Sequence, residues 1–222
     1  IEYQLSLSGM TAFDDIVLDA EKVNCTTTPD VTGSRICTTP WPDNWTLELG
    51  QRYFLTINAR TGIAAPLRPS TASALRTVPA EEMQAIQTEA TSIQALQVAI
   101  TTRTALLAGL YARHQLYAAA LLAYTQVVAT QPAPLLYIAL GDLYRAVDLQ
   151  RYAFSAYQQA LDLLAKGKDD PTLRAASEFG IEQVYYARQN YTEAGKHFEL
   201  AVARYEQLGL KKEWQAAQNA LH

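Results

Sequence analysis

Leu107-Ala108-x-x-Tyr111, then Ala120, Tyr124 and Val127, closing at Pro132, is the stretch on which the fold turns. Moved 33 residues along, the same slots hold Leu140-Gly141-x-x-Tyr144, then Ala153, Tyr157 and Ala160. Moved a further 41, they hold Ile181-Glu182-x-x-Tyr185, then Ala194, Phe198 and Ala201. A small residue at a helix crossing lets two antiparallel helices approach closely. Ala120, Ala153 and Ala194 are the expected close-approach points. The aromatic four residues later fills the gap to the next hairpin. One hairpin cannot bury such a face alone, whereas a stack of them can. The extra length before the third unit falls in Lys166-Gly167-Lys168-Asp169-Asp170-Pro171, a polar turn in which Asp169-Asp170 is placed to cap a helix.

These slots, met three times in register, resemble the tetratricopeptide repeat family. The units run over 101–133, 134–167 and 175–208. The resemblance implies an all-α superhelix of antiparallel helix hairpins. It has departures. Thr104 and Glu178 stand where a large apolar residue or Trp is usual, and Glu182 replaces the small residue of the third unit. Leu208-Gly209 should end the last repeat helix, with Gly209 free to adopt positive φ. Residues 211–221 then read as a capping helix. It would turn Trp214, Ala217 and Leu221 to the stack and Lys211, Lys212, Gln215 and Gln218 to water.

The family binds extended peptides or helices in a groove lined by the first helix of each hairpin. Carried over by register, the groove residues are Arg113, then Leu135, Ile138, Asp142 and Arg145, then Phe179, Gln183 and Tyr186. Some members grip a terminal carboxylate with Lys and Asn. Here those positions read Ala105 and Gly109, Ile138 and Asp142, Phe179 and Gln183, so no such specificity is expected. Apolar insertion with a few hydrogen bonds is the expected mode. The bland reading is that Asp142 and Arg145 pair along their own helix, and that Phe179 and Tyr186 pack against neighbours.

The first 78 residues follow a different period. Tyr3, Leu5 and Leu7 alternate with Gln4 and Ser6, and Tyr53, Leu55 and Ile57 with Phe54, Thr56 and Asn58. Period two marks half-buried strands. Ile16 and Leu18 suggest another strand, and Ala74 to Val78 a last one. Turn signals separate them: Ser8-Gly9, Thr32-Gly33-Ser34, Pro42-Asp43-Asn44 and Leu49-Gly50-Gln51. The segment from Trp45 to Ile57 resembles the strand, corner and tyrosine-led strand of fibronectin type III-like domains, in which the Tyr ties down the corner. That family's first two strands and their Trp have no counterpart here. A small β-sandwich-like domain over 1–78 is expected, with Trp41 and Trp45 as core anchors. The contrary reading exposes Trp41, Trp45 and Tyr53 as a glycan or small-molecule surface.

Residues 79–100 join the halves. Pro79, Glu81 and Glu82 favour a helix start. Met83, Ile86 and Ala90 keep helical spacing, and Thr91-Ser92 is an expected break. The fold class is therefore an α+β chain in two parts, a β domain and then a helical stack.

Composition narrows the function. Charged residues make up 18% of the 222, below the usual quarter or so, and the net charge is -4. Lys211-Lys212 is followed at once by Glu213, so no clustered cations exist to hold phosphates of nucleic acid or membrane. No apolar run approaches the roughly 18 residues that span a bilayer. His114, His197 and His222 carry no catalytic or metal motif, there is no Cys-x-x-Cys, and Asp14-Asp15 lacks calcium-loop spacing. No enzyme activity, cofactor or metal is expected. Cys25 and Cys37 lie in Thr-rich sequence, and a bridge between them would close a short loop worth roughly 2–4 kcal/mol. A disulfide implies an oxidising compartment, hence a periplasmic or secreted setting. The alternative is two thiols packed as small hydrophobes. Ile1 falls straight into a strand pattern, as expected of a piece of a longer bacterial protein. Its partner would be another polypeptide, or a second copy if the helices serve as spacer or self-association surface.

Overall fold

The computed structural model describes residues 2–9, 13–18, 23–27, 35–62, 65–212 and 215, with backbone alone for 25–27 and 35–38. It divides into two compact units, 1–87 and 88–222.

In the first unit, β1 (Glu2–Ser8) lies between β2 (Ile16–Leu18) and β5 (Arg52–Arg60), and β5 also pairs β6 (Arg68–Pro69) and β7 (Ser73–Arg76), every pairing antiparallel. β3 (Asn24–Thr27) and β4 (Arg35–Thr38) form a separate ribbon. The register sets Leu5 opposite Ile57 and Leu7 opposite Leu55, so one face gathers the alternate apolar residues. Leu5, Leu7, Trp45 and Tyr53 are buried, with Phe13, Ile16, Leu18, Leu47, Leu55 and Leu75 packed on them. Among the described residues, Phe13, Trp45 and Leu47 also lie on this face, all from segments outside the strands. The expected corner is present: the Glu48 N–H donates to the Tyr53 hydroxyl at 2.9 Å. Thr77 closes it from the other side, its hydroxyl donating to the Glu48 carbonyl at 2.6 Å and accepting from the Gln51 N–H at 2.9 Å.

α1 (Ala80–Gln94) begins after Pro79 and carries Glu81 and Glu82 in its first turn. It runs through Thr91-Ser92 without the expected break, the Ser92 hydroxyl donating to the Thr88 carbonyl within the helix at 3.0 Å rather than competing for a turn. The chain leaves the helix only after Gln94.

Three hairpins follow: α2 (Ile100–Arg113) with α3 (Tyr117–Thr130), α4 (Pro134–Ala146) with α5 (Gln150–Lys166), and α6 (Pro171–Ala187) with α7 (Tyr191–Gln207). Each helix packs on the next, and α4 also touches α6, so the first helices of the second and third hairpins lie side by side. The slot residues sit where the repeat puts them. Ala108, Ala120, Ala153, Ala160 and Ala201 are fully buried, and Ala194 nearly so. The third hairpin starts at Pro171 rather than near 175, because Asp170 accepts from the Thr172 and Leu173 N–H groups at 2.9 and 3.1 Å.

The turns repeat as faithfully as the cores. Gln115, Asp148 and Gln189 take φ of 58, 59 and 60°, one in each hairpin, and Gly209 takes 67° after α7. At each, two N–H groups reach back into the last turn: Gln115 to Ala112 and Leu116 to Tyr111, Asp148 to Arg145 and Leu149 to Tyr144, Gln189 to Tyr186 and Asn190 to Tyr185, Gly209 to Glu206 and Leu210 to Tyr205. This Schellman closure satisfies the orphan carbonyls of a helix end. Of the expected capping helix, Lys211, Lys212 and Gln215 are helical and exposed; Trp214, Ala217, Gln218 and Leu221 lie outside the described residues.

Candidate functional site

The side chains with most chemistry in the helical unit meet where α4, α5 and α6 converge. Tyr157 of α5 is the centre. It is fully buried with Ile138, Ala153, Ala160, Ile181 and Val184. Its ring lies between two glycines: a Cβ at Gly141 of α4 would come within 2.6 Å of it, and one at Gly180 of α6 within 2.4 Å. Both glycines are therefore space for an aromatic ring. The Tyr157 hydroxyl donates to Asp142 Oδ1 at 2.6 Å. Burial, reinforced by the Asp142 charge, holds that hydroxyl protonated far above its usual range.

Around this anchor, Arg145 reaches Asp142 at 3.8 Å, one helical turn along α4. Glu182 of α6 is 1% exposed, in the slot that holds Ala108 and Gly141 in the other hairpins. One of its carboxylate oxygens is buried without a hydrogen-bond partner, as is Arg145 Nε. Burial pushes the Glu182 carboxyl up to about 7, against the opposing pull of Arg145.

The expected groove residues divide. Leu135 is exposed (61%) at the start of α4. Tyr186 is exposed (45%) at the end of α6, edge-on to Tyr191 with ring centres 5.4 Å apart. Arg113 ion-pairs with Glu89 of α1. Asp142 and Arg145 pair with one another, and Asp142 also holds Tyr157. Gln183 is half-buried with its carbonyl oxygen unpartnered. Ile138 is buried and joins the Tyr157 core because α4 turns that face to α5 and α6. Phe179 is half-buried and packs on Ala175, Ala201 and Tyr205.

The register missed one pair. Glu178, 8% exposed, meets His197 Nδ1 of α7 at 2.5 Å. The His197 ring stacks on Tyr185 with centres 5.5 Å apart at 16°, and Tyr185 takes Phe154 edge-on. The carboxylate that departs from the repeat's apolar habit is thus matched by a polar partner on the facing helix. The sequence signalled only Glu178 as a departure, 19 residues before its partner. Only the fold joins them.

In the first unit, Trp45 and Tyr53 are 4% and 2% exposed, so neither can present a ring to a ligand; Trp41 is 45% exposed. Cys25 and Cys37 stand directly opposite one another in the β3–β4 register, while their side chains lie outside the described residues. Among those residues no group of three or more His, Cys, Asp or Glu could hold a metal ion, and no helix is long and apolar enough to cross a membrane.

No family model matches the chain, and no curated protein matches it. Among solved structures, a crystal structure of MamA aligns at 18% identity with a TM-score of 0.45, covering 61% of this chain and 85% of that one. A second crystal structure of MamA protein aligns at 18% identity with a TM-score of 0.46, covering 57% and 68%.

Proposed function

We propose that residues 100–207 form a tetratricopeptide-type scaffold that holds a peptide or helix of another protein against its first helices and performs no catalysis itself. The observation carrying this is the adjacency of α4 and α6 with Leu135, Arg145, Gln183 and Tyr186 on them. Leu135 and Tyr186 are exposed apolar groups, and the Arg145 and Asp142 side chains are 38% and 56% exposed on α4. That combination of apolar insertion points and a few accessible polar groups suits a peptide. The test is recovery of partners from native envelope extract by the wild-type chain and by Arg145→Glu plus Tyr186→Ala. Loss of one or more partners from the variant is expected. Equal recovery of all of them would sink the groove assignment.

The setting we propose is extracytoplasmic, as part of a larger exported bacterial protein. Its support is the facing register of Cys25 and Cys37, which puts the two positions at one cross-strand pair. Thiol titration under denaturing, non-reducing conditions on natively sourced protein should find no free thiol; two free thiols would defeat it.

A second reading, self-association, is favoured by one observation. Between Arg113 and Asp142 the chain has no Asp, Glu, Lys or Arg, and Leu122 on α3 is 64% exposed. An uncharged helix face can meet its own copy without repulsion. Sedimentation of wild type against Leu122→Glu separates the readings: a dimer abolished by the charge supports self-association, and a monomer in both forms removes it.

A further inference from the structure

The first unit carries a feature that the helical scaffold does not use. Beside the β2 edge, Ile16, Val17, Leu18, Thr39, Pro40, Trp41, Pro42, Asp43 and Asn44 line, among the described residues, a concavity of about 350 Å³. That volume lies at the lower end of ligand sites, which run from about 300 to 1,000 Å³. It has room for one ring and its substituents. Trp41 is nearly half exposed on it, Val17 is 59% exposed, and Asp43 and Asn44 stand in water.

Trp41 is held in place. Its indole N–H donates to the Trp45 carbonyl at 3.0 Å, and its ring meets the Trp45 ring edge-to-face with centres 5.5 Å apart at 67°. Trp45 is pinned in turn, donating to the Asp14 carbonyl at 3.1 Å and meeting Phe13 at 6.2 Å, which meets Tyr53 at 5.8 Å. An aromatic chain thus runs from the core to the surface and fixes the outer ring. Pro40 and Pro42 stiffen the backbone on either side. A fixed aromatic face costs little entropy when a ligand settles on it.

We propose that the concavity beside Trp41 is a carbohydrate-binding site, taking a neutral sugar ring on the indole face and its hydroxyls on Asp43 and Asn44. The sugar's apolar C–H face stacks on the indole. Its hydroxyls both donate and accept, so they suit a rim made of a carboxylate, an amide and the Thr39 hydroxyl. A proline-rich peptide is the other ligand that seeks Trp and Pro. Its carbonyls only accept, so the Asp43 carboxylate would go unused, and the Trp41 N–H is already committed to Trp45. The site is independent of the groove proposed above.

Calorimetric titration of the 222-residue chain with cellohexaose, xylohexaose, chitohexaose and laminarihexaose, and with decaproline, is the test. Saturable binding of at least one oligosaccharide is expected. Trp41→Ala should weaken it at least about tenfold. Because Trp41 also packs on Trp45, Val17→Arg serves as second variant: it obstructs the concavity from an exposed strand position outside the core and should weaken binding as much. Arg145→Glu plus Tyr186→Ala should bind sugar as wild type does. No binding of any oligosaccharide, binding undiminished in Val17→Arg, or decaproline bound in preference would each overturn the site.

Discussion

Tyr157 shows how one side chain can organise a hairpin stack. Its ring fills the space left by Gly141 and Gly180, and its hydroxyl ties Asp142. Gly180→Ala should cost about 1–3 kcal/mol by overpacking, measured by urea unfolding. In a Tyr157→Leu background the same change should cost much less, since the atoms it strikes are gone; an unchanged cost would break the pairing. Glu182 sets a pH dependence. Below its ordinary value of 4.5 it is protonated folded and unfolded alike. Between 4.5 and about 7 the folded chain keeps the proton that the unfolded chain releases. Stability from this group therefore falls as pH rises through that window, by on the order of 3 kcal/mol in total. Glu182→Gln should flatten the slope and leave the variant more stable than wild type above pH 7, with little difference at pH 4.5. A slope unchanged in the variant would place the titration elsewhere.

Among elements, the hairpin turns are the most uniform part of the molecule, and the left-handed residue in each of the three, Gln115, Asp148 and Gln189, is not glycine. A side chain there is strained, and glycine removes the strain. Gln115→Gly and Gln189→Gly should each stabilise by about 0.5–1 kcal/mol, whereas Gly209→Ala should destabilise by a similar amount. Equilibrium unfolding of the three variants checks the opposite signs. The start of α6 makes a further case. Asp170→Ala removes the acceptor for two N–H groups and should cost about 0.5–2 kcal/mol, while Asp170→Asn should cost less. In the sheet, Tyr53→Phe leaves the Glu48 N–H without its acceptor at the corner, a loss of about 1–3 kcal/mol, read from the Trp fluorescence unfolding transition.

Over the whole helical unit, each hairpin contacts its neighbours, so stability should follow nearest-neighbour rules. Small alanines are fully buried on α2, α3 and α7 as well, but of the largest fully buried side chains among the described residues all except Leu110 of α2 sit on α5 and α6. Amide exchange should therefore be slowest there and faster in α3 and at the end of α7; uniform protection would contradict this. The sequence by itself determined the periods: alternation at Leu5, Leu7 and Tyr53 fixed the strands, and small residues at Ala120, Ala153 and Ala194 fixed three hairpins. These are local regularities, written in each segment's own residues. Helix boundaries near 171 and 91 depended on which side-chain bonds formed, and the sequence offered more than one. Only the tertiary structure decided which groove-register residues face outward. Ile138 and Phe179 share their helices' pattern with Leu135 and Tyr186, but neighbouring helices bury Ile138, half-bury Phe179 and leave the other two in water. It alone also joined Glu178 to His197 and sank Glu182 into a slot made for a small residue. Burial and pairing are properties of what a neighbour brings, and no segment carries its neighbour's coordinates.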